Sequence, residues 1–340
     1  LPADQLLATV SIGDVRPKGL REAIAATVSE LAADAAAAAL LPDCRTQPGT
    51  PGAVGDGSTA AAAAARWHGL QAVTPGAARA TLIRYAGADR LDFMNGAFDV
   101  LIAGTGSGKQ ALQAAMGYGP VARVTAIDRS AAALAFAARK AKSHGIANVT
   151  FKVAGVDDVA SVGGSFDIIE AAGVLERLAD PLAGWQRLVG ALKPHGLVYV
   201  GLPSRAALRP IEELLSRAGA PAAGAADGEL TTFRGSLLQP GDGAALPPLA
   251  GSIDFYTTSR VRDLFAAARR PAFELPQLKA FLQKNGLAFL GFVLDQDHHR
   301  HFSMAFPTTR FPGSLDEWAS HEQKHPTFFE AGYRFWVRRA

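Results

Sequence analysis

The feature that most constrains the fold is a regular alternation of short apolar runs with helix-forming stretches between residues 98 and 202. Apolar runs predict five strands, at residues 98–103, 123–127, 149–153, 166–171 and 197–202. Helix-forming stretches lie between them, at residues 110–116, 130–144 and 185–192. Strands that alternate with helices at this spacing form right-handed βαβ units on a parallel sheet. We therefore predict an α/β fold with a doubly wound, mostly parallel sheet.

The rest of the chain divides into three parts around this core, which we place at residues 74–204. Residues 1–73 predict an N-terminal helical segment and a linker, and Thr74 with Pro75 is typical of a helix start. Residues 205–275 interrupt the alternation with chain rich in Gly, Ala and Pro, which indicates a middle insertion. Residues 276–340 predict a helix and a strand that complete the sheet, followed by an aromatic tail whose helical spacing favours a packed helix.

Composition excludes several classes of protein. The chain has 340 residues, of which 49% are hydrophobic and 19% charged, so it is too apolar for a disordered chain. Its net charge of +3 is too small for a nucleic-acid or membrane surface, and no apolar run approaches the roughly 20 residues that span a bilayer. The single cysteine, Cys44, and the lack of a signal-peptide pattern predict a reducing, cytoplasmic compartment.

A glycine-rich turn, Gly104-Thr105-Gly106-Ser107-Gly108, follows the first predicted strand and opens a helix. Doubly wound sheets bind their ligands at this place, because glycines let the backbone approach a ligand and free helix N–H groups bind it. Asp128 comes directly after the second strand, where a carboxylate accepts hydrogen bonds from both ribose hydroxyls. Together the turn and Asp128 predict a nucleoside ligand.

Glycine spacing separates three nucleoside classes. A dinucleotide fingerprint that starts at Gly104 would need its third glycine at Lys109. A phosphate-binding P-loop that ends at Gly108-Lys109 would need glycine at Ala103 and a hydroxyl residue at Gln110. NAD is therefore disfavoured, and a nucleotide-hydrolysing enzyme is the weaker alternative.

Four segments extend the pattern of the glycine turn. Residues 99–108 and 125–130 hold the turn and the acidic end of the second strand, residues 166–175 form the fourth strand with its loop, and residues 192–196 read Leu-Lys-Pro-His-Gly. Together they resemble the motifs of class I S-adenosylmethionine-dependent methyltransferases, with His195 in place of one glycine. The resemblance implies a Rossmann-like methyltransferase sheet, S-adenosyl-L-methionine as cofactor and methyl transfer as the reaction.

Further segments, at residues 180–185, 254–256, 275–278 and 321–336, resemble a narrower group. They look like the methyltransferases fused to tetratricopeptide repeats, which are similar to the rickettsial outer-membrane-protein lysine methyltransferases. This likeness covers residues 98–336 and implies a protein lysine as methyl acceptor. A small-molecule acceptor and a non-catalytic nucleoside-binding module stay open, and so does a homodimer.

The resemblance assigns roles to individual residues. We expect the cofactor to be bound by residues of the glycine turn and of the loops after the second, third and fourth strands: Gly104, Thr105, Gly106, Gly108, Gln110, Asp128, Arg129, Val156, Asp157 and Glu170. Glu170 is the first candidate for a catalytic base, with a capping or cofactor-orienting role as the alternative, and Tyr256 is a second candidate.

The chain departs from the family pattern at two places. Ala154-Gly155 stands where the family has Ala-Asp, so we expect Asp157 or Asp158 to replace the carboxylate that contacts adenine. Glu176-Arg177 stands where the family often has a pair of histidines.

A cluster of metal-ligand residue types occupies one polar stretch, with Asp295, Asp297, His298, His299 and His301. Metal-ligand sets usually draw on more than one structural element, whereas this cluster lies in a single stretch after a predicted strand. We expect a solvated loop there and no metal.

Overall fold

The structure, a computed structural model, describes residues 70, 73–217, 219, 221, 225–238 and 270–340. Two predicted features, the N-terminal segment up to residue 69 and Tyr256, lie outside the described residues. Two compact units divide the chain, one formed by Leu1–His68 with Pro210–Arg269 and the other by Gly69–Arg209 with Arg270–Ala340.

The second unit is built on a seven-stranded sheet with the order β3-β2-β1-β4-β5-β7-β6 in the described part of the chain. The strands are β1 (Phe98–Ala103), β2 (Ala122–Asp128), β3 (Val149–Val153), β4 (Phe166–Ala172), β5 (Leu192–Leu202), β6 (Leu287–Phe292) and β7 (Tyr333–Arg339). The first five strands pair in parallel, and β7 runs antiparallel between β5 and β6. This mostly parallel, doubly wound sheet confirms the predicted fold class.

Helices connect these strands. They are α1 (Ala77–Ala86), α2 (Lys109–Tyr118), α3 (Ala131–Ser143), α4 (Val159–Val162), α5 (Pro181–Gly190), α6 (Arg205–Arg217), α7 (Asp227–Leu238), α8 (Leu275–Lys284), α9 (Gln296–Ala305) and α10 (Leu315–Lys324). Of these, α6 begins in the second unit and continues into the first, and α7 belongs to the first unit. None of the described helices combines the length and the apolar composition that a membrane span requires.

The central strand β1 determines where a ligand can bind. It pairs with β2 on one side and with β4 on the other, so the strand order reverses at β1. Residues Val100 to Ala103 are fully buried, as expected for a parallel strand covered on both faces. The carboxyl ends of β1 and β4 therefore flank a topological switch point, where open α/β sheets bind ligands.

The predicted helix in the aromatic tail is wrong over its second half. Helix α10 ends at Lys324, and Tyr333–Arg339 form strand β7. Between β5 and β6 this strand buries aromatic side chains on both faces, with Tyr333, Phe335 and Trp336 all at most 6% exposed. The helical spacing arose because Phe328 and Phe329, which lie in the turn before β7, were counted together with the strand residues.

Two other local predictions need correction. Helix α1 begins at Ala77 rather than at Pro75, with Gly76 as its N-cap residue. The polar stretch predicted as a solvated loop forms helix α9, because the side chain of Asp295 accepts a hydrogen bond from the backbone N–H of His298 and so caps the first turn.

A buried carboxylate joins the amino-terminal ends of three strands. Asp167 of β4, 2% exposed, accepts a hydrogen bond from the backbone N–H of Asp99 in β1 at 2.7 Å. Lys193 Nζ of β5 lies 2.6 Å from its Oδ2, and His195 Nε2 lies 2.6 Å from its Oδ1. Burial by itself would raise the pKa of Asp167, but these three contacts outweigh it and hold the pKa below its ordinary value of 3.8.

We predict that Asp167→Asn lowers the free energy of unfolding by about 1.5–3 kcal/mol near neutral pH, because charge-assisted hydrogen bonds are lost. A carboxyl with a lowered native pKa stabilises the fold above its unfolded pKa and loses that contribution as pH falls through the native pKa. Urea unfolding at several pH values should therefore show the two proteins converging in acid. Asp92→Asn, an exposed change, is the control, and a pH-independent difference would contradict the assignment.

Candidate functional site

The glycine turn after β1 uses its three glycines in two ways. Gly104, Gly106 and Gly108 all have positive φ angles, of 70°, 53° and 85°. A Cβ atom on Gly104 would lie 2.5 Å from the side chain of Val174, and one on Gly108 would lie 2.3 Å from Cβ of Ala137. Protein packing therefore requires these two glycines. A Cβ on Gly106 would meet no described protein atom within 4 Å, so this position faces open space that a ligand can occupy.

Asp128 connects the end of β2 to the glycine turn. Its Oδ2 accepts a hydrogen bond from the backbone N–H of Gly106 at 2.8 Å, and its Oδ1 accepts one from the N–H of Ser130 at 2.9 Å. Each carboxylate oxygen has a further lone pair, so both can also accept a hydroxyl donor from a ligand. Asp128 is thus a part of the loop structure as well as a candidate ligand group.

Thr105 supplies a polar atom whose hydrogen-bonding capacity is not used. Its backbone N–H donates to the carbonyl of Ile127 at 3.0 Å, whereas its buried Oγ1 has no hydrogen-bond partner among the described residues. An unpaired buried hydroxyl is costly and calls for an explanation. A polar group of a bound ligand would provide the missing partner, so the turn fits a nucleoside cofactor.

Glu170 lies beneath the start of α2. Its two carboxylate oxygens accept hydrogen bonds from Gln110 Nε2 and from the Tyr118 hydroxyl, both at 2.8 Å. Burial raises the pKa of Glu170 above its ordinary value of 4.5, although both bonds favour the ionised form. The structure thus brings together Gln110 and Glu170, two of the predicted site residues, and adds Tyr118, which the sequence analysis missed.

The residues expected on the adenine side form a separate group after β3. The carboxylate of Asp157 pairs with Arg129 at 2.7 Å and with Arg187 at 2.8 Å, while Asp158 accepts from the backbone N–H of Gly155. A Cβ on Gly155 would lie 2.3 Å from Nε of Arg129. The guanidinium of Arg129 therefore occupies the space beside this glycine.

Val156, the last residue predicted on this side, is buried next to that group with 2% of its surface exposed. The ion pairs of Asp157 are exposed, with about half of each side chain in solvent, so they contribute little to stability. Asp157 and Asp158 both already have protein partners, and the predicted contact of either one with adenine stays a prediction.

Glu176 is a further candidate for a functional residue. From the sequence it was named only as a departure from the family pattern. It lies in the short helical turn Leu175–Arg177, directly after β4 and beside the switch point. Its Oε2 is buried without a hydrogen-bond partner in the described part of the chain, and burial raises the pKa of the carboxyl above 4.5. A buried carboxyl with a raised pKa is a candidate for a functional role. Its place after the Val-Leu pair was the only signal in the sequence.

Residues 95–226 match the family model described as a methyltransferase domain. This stretch of the chain is similar to methyltransferase domains. The match agrees with the S-adenosylmethionine cofactor that the sequence motifs predict. The match covers the glycine turn, Asp128 and Glu170, so these residues lie within the domain.

Other proteins resemble parts of this chain. An uncharacterized protein of Synechococcus is 36% identical over 101 residues, which are 28% of this chain and 24% of that protein. The structure of PKMT2 from Rickettsia typhi superimposes with a TM-score of 0.50 at 16% identity, over 75% of this chain and 53% of that one. The same protein in complex with AdoHcy gives a TM-score of 0.49. At 16% identity the structural likeness to the Rickettsia protein confirms the fold. This chain spans about half the length of the Rickettsia protein and about a quarter of the length of the Synechococcus protein.

The open space at Gly106 gives a test with a matched control. Gly106→Ala and Gly145→Ala both place a Cβ at a positive φ angle with no described atom within 4 Å, so each should cost about 1–2 kcal/mol of stability. Only Gly106→Ala should also weaken binding of S-adenosylhomocysteine, by about 1–3 kcal/mol, because its methyl group enters the cofactor space. Isothermal titration calorimetry measures the affinities. Equal affinities of the two variants would show that the cofactor binds away from Gly106.

Proposed function

We propose that this protein is an S-adenosylmethionine-dependent methyltransferase that acts on lysine side chains of a protein. The observation that carries the donor side of the proposal is the open face of Gly106 beside the two hydrogen bonds that Asp128 accepts. The acceptor side is supported by the likeness of residues 98–336 to the lysine methyltransferase group described above.

The residues of the glycine turn and the strand ends would hold the cofactor. Asp128 would accept hydrogen bonds from the ribose hydroxyls, and the Thr105 hydroxyl would bond a polar group beside the turn. The open space beside the backbone of Gly106 would let the ligand approach closely. When bound, S-adenosylmethionine supplies an activated methyl group on a sulfonium. The protein's contribution to the reaction is then mainly positioning and exclusion of water.

In this proposal the carboxylates of Glu170 and Glu176 have different roles. Both oxygens of Glu170 are held by Gln110 and Tyr118, so Glu170 is better suited to position Gln110 at the start of α2 than to accept a proton. Glu176 has a buried oxygen without a partner among the described residues and lies in the loop after β4. A lysine amine has an ordinary pKa near 10.4 and must lose a proton before it can act as a nucleophile. We assign acceptance of that proton to Glu176.

Paired variants test this division of roles. Glu170→Gln should raise KM for S-adenosylmethionine about tenfold with little change in kcat, since the positioning of Gln110 is disturbed. Glu176→Gln should lower kcat about 100-fold or more and leave the affinity for S-adenosylhomocysteine unchanged, because general-base catalysis is lost. Steady-state kinetics and calorimetry measure these parameters, and Tyr118→Phe should reproduce the effect of Glu170→Gln. The reverse pattern, with kcat lost in Glu170→Gln, would return the base role to Glu170.

The acceptor is tested with a methyl-labelled cofactor. The protein is incubated with labelled S-adenosylmethionine and either whole-cell protein or the small-molecule fraction, and label on lysine is sought by mass spectrometry. In parallel, S-adenosylhomocysteine should raise the melting temperature, whereas NADH and ATP with Mg²⁺ should not.

Each result of this experiment has a distinct meaning. Label on protein lysines supports the full proposal, while label confined to metabolites rejects the lysine acceptor and keeps the methyltransferase. Cofactor binding without label in either fraction favours a non-catalytic binding module. Stabilisation by ATP instead of S-adenosylhomocysteine contradicts the cofactor assignment.

A further inference from the structure

Three histidines from two helices meet beyond the carboxyl end of β6. His301 lies in α9, His321 lies in α10, and His325 is the C-cap residue of α10. One ring nitrogen from each histidine lies within 4.8 Å of the corresponding atoms of the other two. His301 Nδ1 and His321 Nε2 are only 3.1 Å apart. Imidazole nitrogens thus converge on one point from separate elements, as in metal-ligand sets.

Aromatic packing alone does not account for this cluster. His321 is fully buried, and its Nδ1 has no hydrogen-bond partner among the described residues. Phe302 and Phe328 pack edge-on against its ring and fix the ring's orientation. A buried histidine that serves only packing would satisfy both ring nitrogens. His321 directs its Nε2 at His301 Nδ1, while its Nδ1, which is not the atom that faces His301, has no partner among the described residues.

The ring nitrogens of the three histidines are suited to bind a cation. Burial, followed by the nearness of His325 and His301, lowers the pKa of His321 to about 4, so its ring is neutral near physiological pH. The positive charge of Lys324 also lowers the pKa of His321, and the same charge would repel a metal ion bound at this ring. The carboxylate of Glu322 is engaged with Ser204 and Tyr333. The donor set therefore consists of imidazole nitrogens, which suit Zn²⁺ and similar transition-metal ions.

We propose that His301, His321 and His325 bind one divalent transition-metal ion, with Zn²⁺ as the best fit. Two ligands at Zn–N distances of about 2.0–2.1 Å in a tetrahedral site lie roughly 3.4 Å apart, close to the 3.1 Å seen between His301 and His321. The rings of His301 and His325 belong to exposed residues, so His325 can turn inward and a fourth position stays open to water. The ion would join α9 to α10 at the edge of the sheet where the glycine turn lies.

This site differs from the metal site that was considered from the sequence alone. Of the stretch that holds Asp295 and His298, only His301 takes part, because His298 Nδ1 lies 2.8 Å from Asp295 and so has its own partner. The other two ligands are 20 and 24 residues further along the chain. We expected no metal because the candidate ligands in the sequence all lay in one structural element. In the fold, histidines from two helices lie close together.

The test uses the full chain after dialysis against a chelator. Zn²⁺ is titrated by calorimetry, and Co²⁺ is titrated by visible absorption, which reports tetrahedral coordination. We expect one equivalent of Zn²⁺ to bind and to raise the melting temperature. His301→Gln and His325→Gln change exposed residues and should fold, as circular dichroism can check. Each should lose more affinity than the roughly 10–100-fold that removal of an outer-shell partner costs.

His298→Gln, on the same helix but outside the cluster, is the matched control and should bind Zn²⁺ like the parent protein. Absence of saturable Zn²⁺ binding in the parent would overturn the proposal. Unchanged affinity in both folded variants would also overturn it, because the ion would then bind at other histidines. A methyltransferase assay is not needed for any of these readouts, so the proposal stands or fails independently of the proposed function.

Discussion

The parallel pairing of β1 with β2 on one side and β4 on the other is the constraint on which the rest of the structure depends. It buries Val100 to Ala103 of β1 completely and places the carboxyl ends of three strands at one edge of the sheet. The glycine turn, Asp128 and the loop that holds Glu176 follow those three ends. Residues separated by about 70 positions in the chain therefore form one site, because their strands pair side by side.

The polar groups at the two edges of the sheet differ in whether they have hydrogen-bond partners. At the amino-terminal edge, Asp167 is fully paired with Lys193, His195 and the backbone of Asp99, and this arrangement serves stability. At the carboxyl edge, Glu176 and Thr105 keep buried oxygens without partners in the described residues. Unsatisfied polar atoms cost stability, so two such oxygens near the switch point are typical of a site that binds a ligand.

Features that depend on neighbouring residues were predicted well from the sequence. The glycine turn and Asp128 each follow a strand directly, so local spacing was enough to place them on one edge. Features that depend on tertiary contacts were missed. Tyr333 to Arg339 form a strand only because β5 and β6 offer pairing on both sides, and Tyr118 joins Glu170 only through the packing of α2 on the sheet. The histidines of α9 and α10 likewise meet only in the fold.

The central claim is that the nucleoside part of the cofactor binds between Gly106 and Asp128. A crystal structure of the chain with S-adenosylhomocysteine tests it most directly. We expect ribose hydroxyls within hydrogen-bond distance of the Asp128 carboxylate and ligand atoms in van der Waals contact with the Gly106 backbone. A ligand bound with its ribose away from Asp128, or with the space beside Gly106 filled only by water, would contradict the account.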